Sequence, residues 1–347
     1  MPRMQWLPFE QLDVLRQAQG RMLDALGFGP LETPYVDVHH EAGVRLRRYS
    51  RSSNDGPPVL IVPAPIKGPY IWDLAPEVSA VRRCLAANAQ VYMIQWQPAP
   101  AHFGFPEFAE RLILACLDAM GAERALLLAH SLGGLLASIF ATLHPKRVQG
   151  LILLTAPLHF GPETSVFNAM AGQVDVGALP DALPGSFLSA ASMNAAPSVF
   201  GSERVLDAIL SSRDPADLLN HMRVERWMLD EFALPRRFVT ELVTELIWED
   251  RFVRGTFDVK GRAARPSRLS APLLCVLDSR CPLVPPAAVL PFVQSTASRE
   301  KTLLYYGGDI GVALQHVGPL VGRHAHRLLW PQIVAWMAKT WTSASML

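Results

Sequence analysis

The apolar positions of this chain change rhythm along its length, and the changes predict its elements. Between residues 7 and 28, Leu7, Leu12, Leu15, Met22 and Leu26 recur at roughly helical intervals, which predicts an amphipathic helix with one apolar face. Residues 36–38 and 44–49 alternate apolar and polar, as antiparallel strands at a sheet edge do. At 58–62 the texture shifts to Pro-Val-Leu-Ile-Val, a wholly apolar run that suits a strand buried on both faces of a parallel sheet. Helix 77–88, strand 91–94, helix 105–120, strand 125–128, helix 133–143 and strand 148–154 follow. The rhythm breaks at Pro157 and resumes with strand 272–277, helix 286–294, strand 301–306 and helix 329–339.

This alternation predicts an α/β fold built on a doubly wound, mostly parallel sheet. Residues 158–265 carry helix-like segments punctuated by Pro and Gly, without a convincing buried strand, and read as a helical lid. The core then comprises 1–157 and 266–347. Half the chain is hydrophobic and 18% is charged, enough apolar surface for a large core and incompatible with intrinsic disorder. With 32 basic and 31 acidic residues and no long run of either sign, a nucleic-acid partner is not expected. Cys84, Cys116, Cys275 and Cys281 are widely spaced with no C-x-x-C, so neither a metal site nor a disulfide framework is expected, and no cofactor motif is seen. Residues 1–20 lack the pattern of a leader, and no run of about 18 apolar residues suggests a membrane helix. A cytoplasmic, reducing setting fits.

The sharpest chemical signal is Leu126-Leu-Leu-Ala-His-Ser-Leu-Gly-Gly-Leu-Leu136. An apolar strand, a tight turn through Ser131 and a small-residue helix make the context of a nucleophile elbow, with Ala129 where the first glycine is usual. Ser131 is the candidate nucleophile and the Leu132 N–H a candidate oxyanion donor. The second donor should lie in Pro63-Ala-Pro-Ile-Lys67; the prolines have no N–H, leaving Ala64 or Ile66, with Ile66 preferred. The bland alternative is that Ser131 simply caps the next helix.

In the order of its motifs the chain resembles the polyhydroxyalkanoate synthase family, an α/β-hydrolase family, and within it the short class III-type catalytic subunits. The blocks are Leu60-Ile-Val-Pro-Ala-Pro-Ile-Lys-Gly-Pro-Tyr-Ile-Trp-Asp73, Val91-Tyr-Met-Ile-Gln-Trp96, the elbow, Leu154-Thr-Ala-Pro157, Met222-Arg-Val-Glu-Arg-Trp-Met-Leu-Asp230 and Pro282-Leu-Val-Pro-Pro286. Three positions depart from the family. Ser131 replaces its cysteine nucleophile, Cys281 stands at its catalytic acid, and Gly307-Gly308 is followed by Asp309 instead of histidine. An insertion restores the histidine: His316-Val-Gly318 repeats the family's His-apolar-Gly pattern and makes His316 the candidate general base. His324 and His326 lie toward the last helix, His130 reads as structural, and His39 and His40 lie near an edge strand. Asp278, at the end of a late strand, is the preferred acid, with Asp309 or a plain Ser–His dyad as alternatives.

The resemblance implies an acyl-CoA, ester or hydroxyalkanoate substrate. Serine shifts the expectation toward a hydrolase or single-transfer acyltransferase working through acyl-Ser131. The first alternative is a polyhydroxyalkanoate synthase using serine; the second is a weakened scaffold for polymer granules or a synthase partner. The resemblance also leaves open a homo-oligomer or association with polymer granules. Trp227, Phe232, Phe238 and Trp248 would line an apolar pocket in the lid or, equally, pack into an ordinary core; the sequence does not separate the two.

Overall fold

The computed structural model describes residues 6–49, 55–161 and 166–344. The reading of residues 1–20 as leaderless therefore extends, at 1–5, outside the described residues. Eight strands form the main sheet: β1 (Val36–Glu41), β2 (Val44–Arg48), β3 (Pro58–Val62), β4 (Gln90–Trp96), β5 (Ala125–His130), β6 (Val148–Leu154), β7 (Leu273–Leu277) and β8 (Lys301–Tyr305). Their spatial order is β1-β2-β4-β3-β5-β6-β7-β8. The sheet is parallel from β4 to β8, and β2 joins β4 antiparallel, so the expected polar edge and buried interior both stand.

Burial explains the sequence texture. Every residue of β3, β5, β6 and β7 is buried, whereas β8, the far edge, alternates between exposed and half-buried positions. A strand covered on both faces needs apolar side chains throughout; an edge strand does not. Around the sheet lie α1 (Leu7–Leu23), α2 (Ala80–Ala86), α3 (Leu112–Ala119) and α4 (Leu132–Leu143), with Trp330–Ala344 as the last helix. Among the described residues no helix is long and apolar enough to cross a membrane.

Two expected helices differ in detail. The segment 77–88 is a short turn at Pro76–Val78 followed by α2, because Ser79 breaks the run and caps α2 by accepting the Arg82 N–H at 2.9 Å. The helix expected at 7–28 is present, continuing past Leu23 as a wider turn over Asp24–Phe28, but Leu7, Leu12, Leu15, Met22 and Leu26 are exposed. Its inner side instead carries Gly20 and Leu23, and Gly20 leaves room for the Arg226 guanidinium, 3.0 Å from where a Cβ would stand. Polar ties hold it there: Asp13 Oδ1 accepts the Ser186 N–H (2.7 Å) and hydroxyl (2.6 Å), and Arg16 donates to the Met228 carbonyl at 2.6 Å. Periodicity located the helix without revealing which face docks.

Between β6 and β7 the chain runs mainly through helices, among them Gly185–Ala195, Glu203–Ser211 and Pro215–Met228. Two short ribbons interrupt them, Ala182–Leu183 with Leu234–Pro235 and Phe257–Val259 with Arg262–Ala264. Two or three residues are too few to register as an apolar run.

Candidate active site

Ser131 occupies the turn between β5 and α4 with φ +55° and ψ −135°, a backbone state that non-glycine residues avoid at a cost of about 1–3 kcal/mol. The surrounding glycines permit it. A Cβ on Gly133 would lie 2.1 Å from the Val62 carbonyl oxygen, and one on Gly134 would lie 2.4 Å from the Ala156 Cβ. Helix and strands thus meet backbone to backbone under the serine. We expect Gly133→Ala to destabilise the fold by about 3 kcal/mol, as overpacking against immobile backbone does, measured by denaturant melts. Ser131 O accepts the Gly134 N–H at 2.8 Å, whereas the N–H of Leu132 belongs to the first helical turn, which the helix itself cannot satisfy. Ala64 and Ile66 line the same cavity as Ser131.

His316 lies in the turn Gln315–Val317 and is buried. Three contacts hold it. His130 Nε2 donates to its carbonyl at 2.9 Å, the Thr155 hydroxyl reaches the same oxygen at 3.4 Å, and its Nδ1 meets Cys281 Sγ at 3.5 Å. Burial pulls His130 down to about 4, so at neutral pH its ring is uncharged and serves as a positioning donor. Burial, helped by His130, likewise holds His316 well below the usual histidine range.

The loop before His316 is fixed by residues that sequence reasoning passed over. Asp207 accepts the N–H of Gly311 (3.0 Å) and Ala313 (2.8 Å), while His221 Nδ1 contacts it at 2.6 Å. Burial pushes the Asp207 carboxyl up, but these donors outweigh it and keep the group below the usual carboxylate range. Asn220 adds bonds to the carbonyls of Gly311 (2.7 Å) and Val321 (3.0 Å). These polar residues sit on helices about a hundred positions earlier, and no local pattern links them to the histidine loop.

Neither candidate carboxylate is bonded to His316. Asp278 ends β7 fully buried; its Oδ1 accepts the Arg280 N–H at 2.9 Å, its Oδ2 has no hydrogen-bond partner, and burial pushes its carboxyl up. Asp309 accepts the Tyr306 hydroxyl (3.0 Å), His324 N–H (2.7 Å) and Ala325 N–H (3.2 Å), which commits it to the start of the next helix. The turn after β7, closed by Cys281 N–H on the Asp278 carbonyl at 3.3 Å, carries Cys281 rather than Asp278 to the imidazole. The preferred acid, Asp278, thus has no hydrogen bond to His316 in this structure. His326 is also structural, donating from Nε2 to the Leu320 carbonyl at 2.6 Å.

Ser131, His130 and His316 open onto a cavity of about 230 Å³ whose walls include Trp72, Phe167, Met170, Leu188, Phe200 and Leu283. No hydrogen bond joins Ser131 Oγ to His316 among the described residues, a common state for catalytic pairs before substrate binds. Of the four lid aromatics Trp227, Phe232, Phe238 and Trp248, only Trp227 lines it. Phe238 stacks on Phe105 in the core at 4.7 Å, and Phe232 and Trp248 face solvent. One wall is polar: Lys67 Nζ donates to Glu231 (2.6 Å) and the Met228 carbonyl (2.7 Å), and Ser189 donates to Glu231 at 2.6 Å. Burial pulls the Lys67 ammonium down, against the attraction of Glu231.

A family model for the alpha/beta hydrolase fold matches residues 57–179, which span β3 through the elbow and β6. The chain has the α/β-hydrolase fold. Solved structures agree, among them an enol-lactonase from Burkholderia xenovorans LB400 with a TM-score of 0.54 at 14% identity, covering 88% of this chain and 99% of that one. Along nearly its whole length the chain is similar to the poly(3-hydroxyalkanoate) polymerase subunit PhaC of Allochromatium vinosum, 24% identical over 94% of this chain and 96% of the other. The PhaC of Synechocystis is 26% identical, covering 94% and 90% respectively.

Proposed function

We propose that this α/β-hydrolase transfers hydroxyacyl groups from a thioester to a hydroxyl acceptor through an ester on Ser131. The observation that carries the reading is the strained Ser131 backbone, held beside His316 at one apolar cavity. The whole-length similarity to polymerase subunits supports transfer, the synthase alternative of the sequence reading, over simple hydrolysis.

In this mechanism His316 Nε2 takes the Ser131 proton and Oγ attacks the thioester carbonyl. The N–H of Leu132, with Ile66 or Ala64, stabilises the oxyanion. Collapse breaks the C–S bond, and the imidazolium returns the proton to the departing thiolate. A substrate hydroxyl then gives its proton to His316 and attacks the acyl-serine; Ser131 recovers that proton on release. Largely apolar walls disfavour water as the acceptor.

Ester hydrolysis is the second reading, favoured by the oxygen nucleophile, whose ester is open to attack by water. The two differ in product. With a 3-hydroxyacyl-CoA, transfer should release CoA and leave oligomeric esters detectable by mass spectrometry. Release of free hydroxy acid alone would select hydrolysis. Absence of both CoA release and acyl-enzyme would refute the catalytic reading.

A further inference from the structure

We infer that Cys281 is the third member of the candidate machinery: its sulfur accepts the Nδ1–H of His316 and orients the ring, in the place where a carboxylate usually stands. The inference rests on the serine reading and extends it. Cys281 Sγ lies 3.5 Å from His316 Nδ1 and also receives the Val284 N–H at 3.4 Å. These two contacts fix the sulfur in the turn that follows β7. For Nε2 to take a proton from Ser131, the hydrogen of the neutral ring must reside on Nδ1, which then needs an acceptor. Among the described residues, the hydrogen bonds of Asp278 and Asp309 lie elsewhere, so the sulfur is the acceptor that the fold supplies.

The thiol differs from a carboxylate in one respect: it is uncharged. Burial pushes Cys281 up to about 12, so the sulfur holds the tautomer without offering the imidazolium an anion. The surrounding charges are sparse. The charged groups are Asp278 with Arg280 in the same turn, Glu203, and Asp309 paired with Tyr306 beside Gly318; the neutral titratable ring is that of His130, 4.6 Å from the ring of His316. A base built this way turns over more slowly than one backed by a carboxylate, and its acidic limb lies at lower pH.

The test is the pH profile of fluorophosphonate labelling at Ser131, read by intact mass. In that reaction Oγ bonds to phosphorus, fluoride leaves, and His316 takes the proton. Cys281→Ala should label about tenfold more slowly, and Cys281→Ser, which restores an acceptor, should recover most of the rate. Cys281→Asp should move the acidic limb to higher pH by about one unit or more and raise the neutral-pH rate, because an anion now faces the imidazolium. If the aspartate variant does not fold, the Ala and Ser variants decide the matter. Wild-type rate and limb in Cys281→Ala would overturn the assignment, as would an Asp278→Asn variant that alone moved the limb. A folded wild type that fails to label at all would instead overturn the serine reading beneath it.

Discussion

Ser131→Ala should abolish fluorophosphonate labelling and lower acyl turnover by about three orders of magnitude or more, since removal of a nucleophile eliminates the covalent route. The fold should survive. Ser131 is buried, yet its side chain makes no capping bond to α4, and the backbone state that defines the elbow is one that alanine tolerates no worse than serine. Relief of the hydroxyl's burial makes a small gain in melting temperature equally compatible. Unchanged turnover in a folded Ser131→Ala protein would remove Ser131 from the mechanism. Ser131→Cys carries a further expectation: thioester turnover should persist, because the thiol would stand at the same elbow beside the same base.

His316→Ala should slow labelling by about 10²–10⁴-fold, the usual worth of a positioned base. Its pH behaviour follows from burial. Only neutral imidazole accepts the serine proton, and burial with His130 nearby holds His316 well below 6.5. Wild-type labelling should therefore stay level as pH falls through 6.5 and decline only in more acidic solution. Stability should show the same groups with a definite sign. Unfolded histidines bind protons near 6.5, whereas folded His130 and His326 do so near 4 and folded His316 also titrates low. Below 6.5 the unfolded chain takes up more protons, so stability falls as pH drops toward 4. The melting temperature should decline over that window, less steeply in His316→Ala. A flat melting profile would mean that these rings are not held neutral.

The strands were readable because a strand buried on both faces requires uninterrupted apolar residues, and 58–62, 125–128 and 148–154 carry them. The elbow was readable for a related reason: a serine forced to positive φ needs small neighbours, and Gly133 has no space for a Cβ. The His-apolar-Gly pattern of the family the chain resembles also singled out His316, which the structure does bring to the Ser131 cavity. The α1 face was misread because spacing alone cannot distinguish a face that meets the core from one left in solvent. The lid aromatics stayed open between pocket and core for the same reason: Trp227 and Phe238 share a local texture, but one lines the cavity and the other packs on Phe105.

The linear chain by itself determined the order of elements, the doubly wound sheet and the serine turn, since each depends on contacts between near neighbours or on the simple demand that a two-sided strand be apolar. Tertiary structure alone decided which group stands at His316 Nδ1 and what holds the histidine loop. Asp278 and Cys281 are three residues apart, and only the path of the turn after β7 brings Cys281 to the ring while the hydrogen bond of Asp278 stays with Arg280. Asp207 reaches Gly311 and Ala313 across about a hundred residues of chain. Such bonds depend on direction at the scale of a few ångströms, and sequence spacing carries no information at that scale.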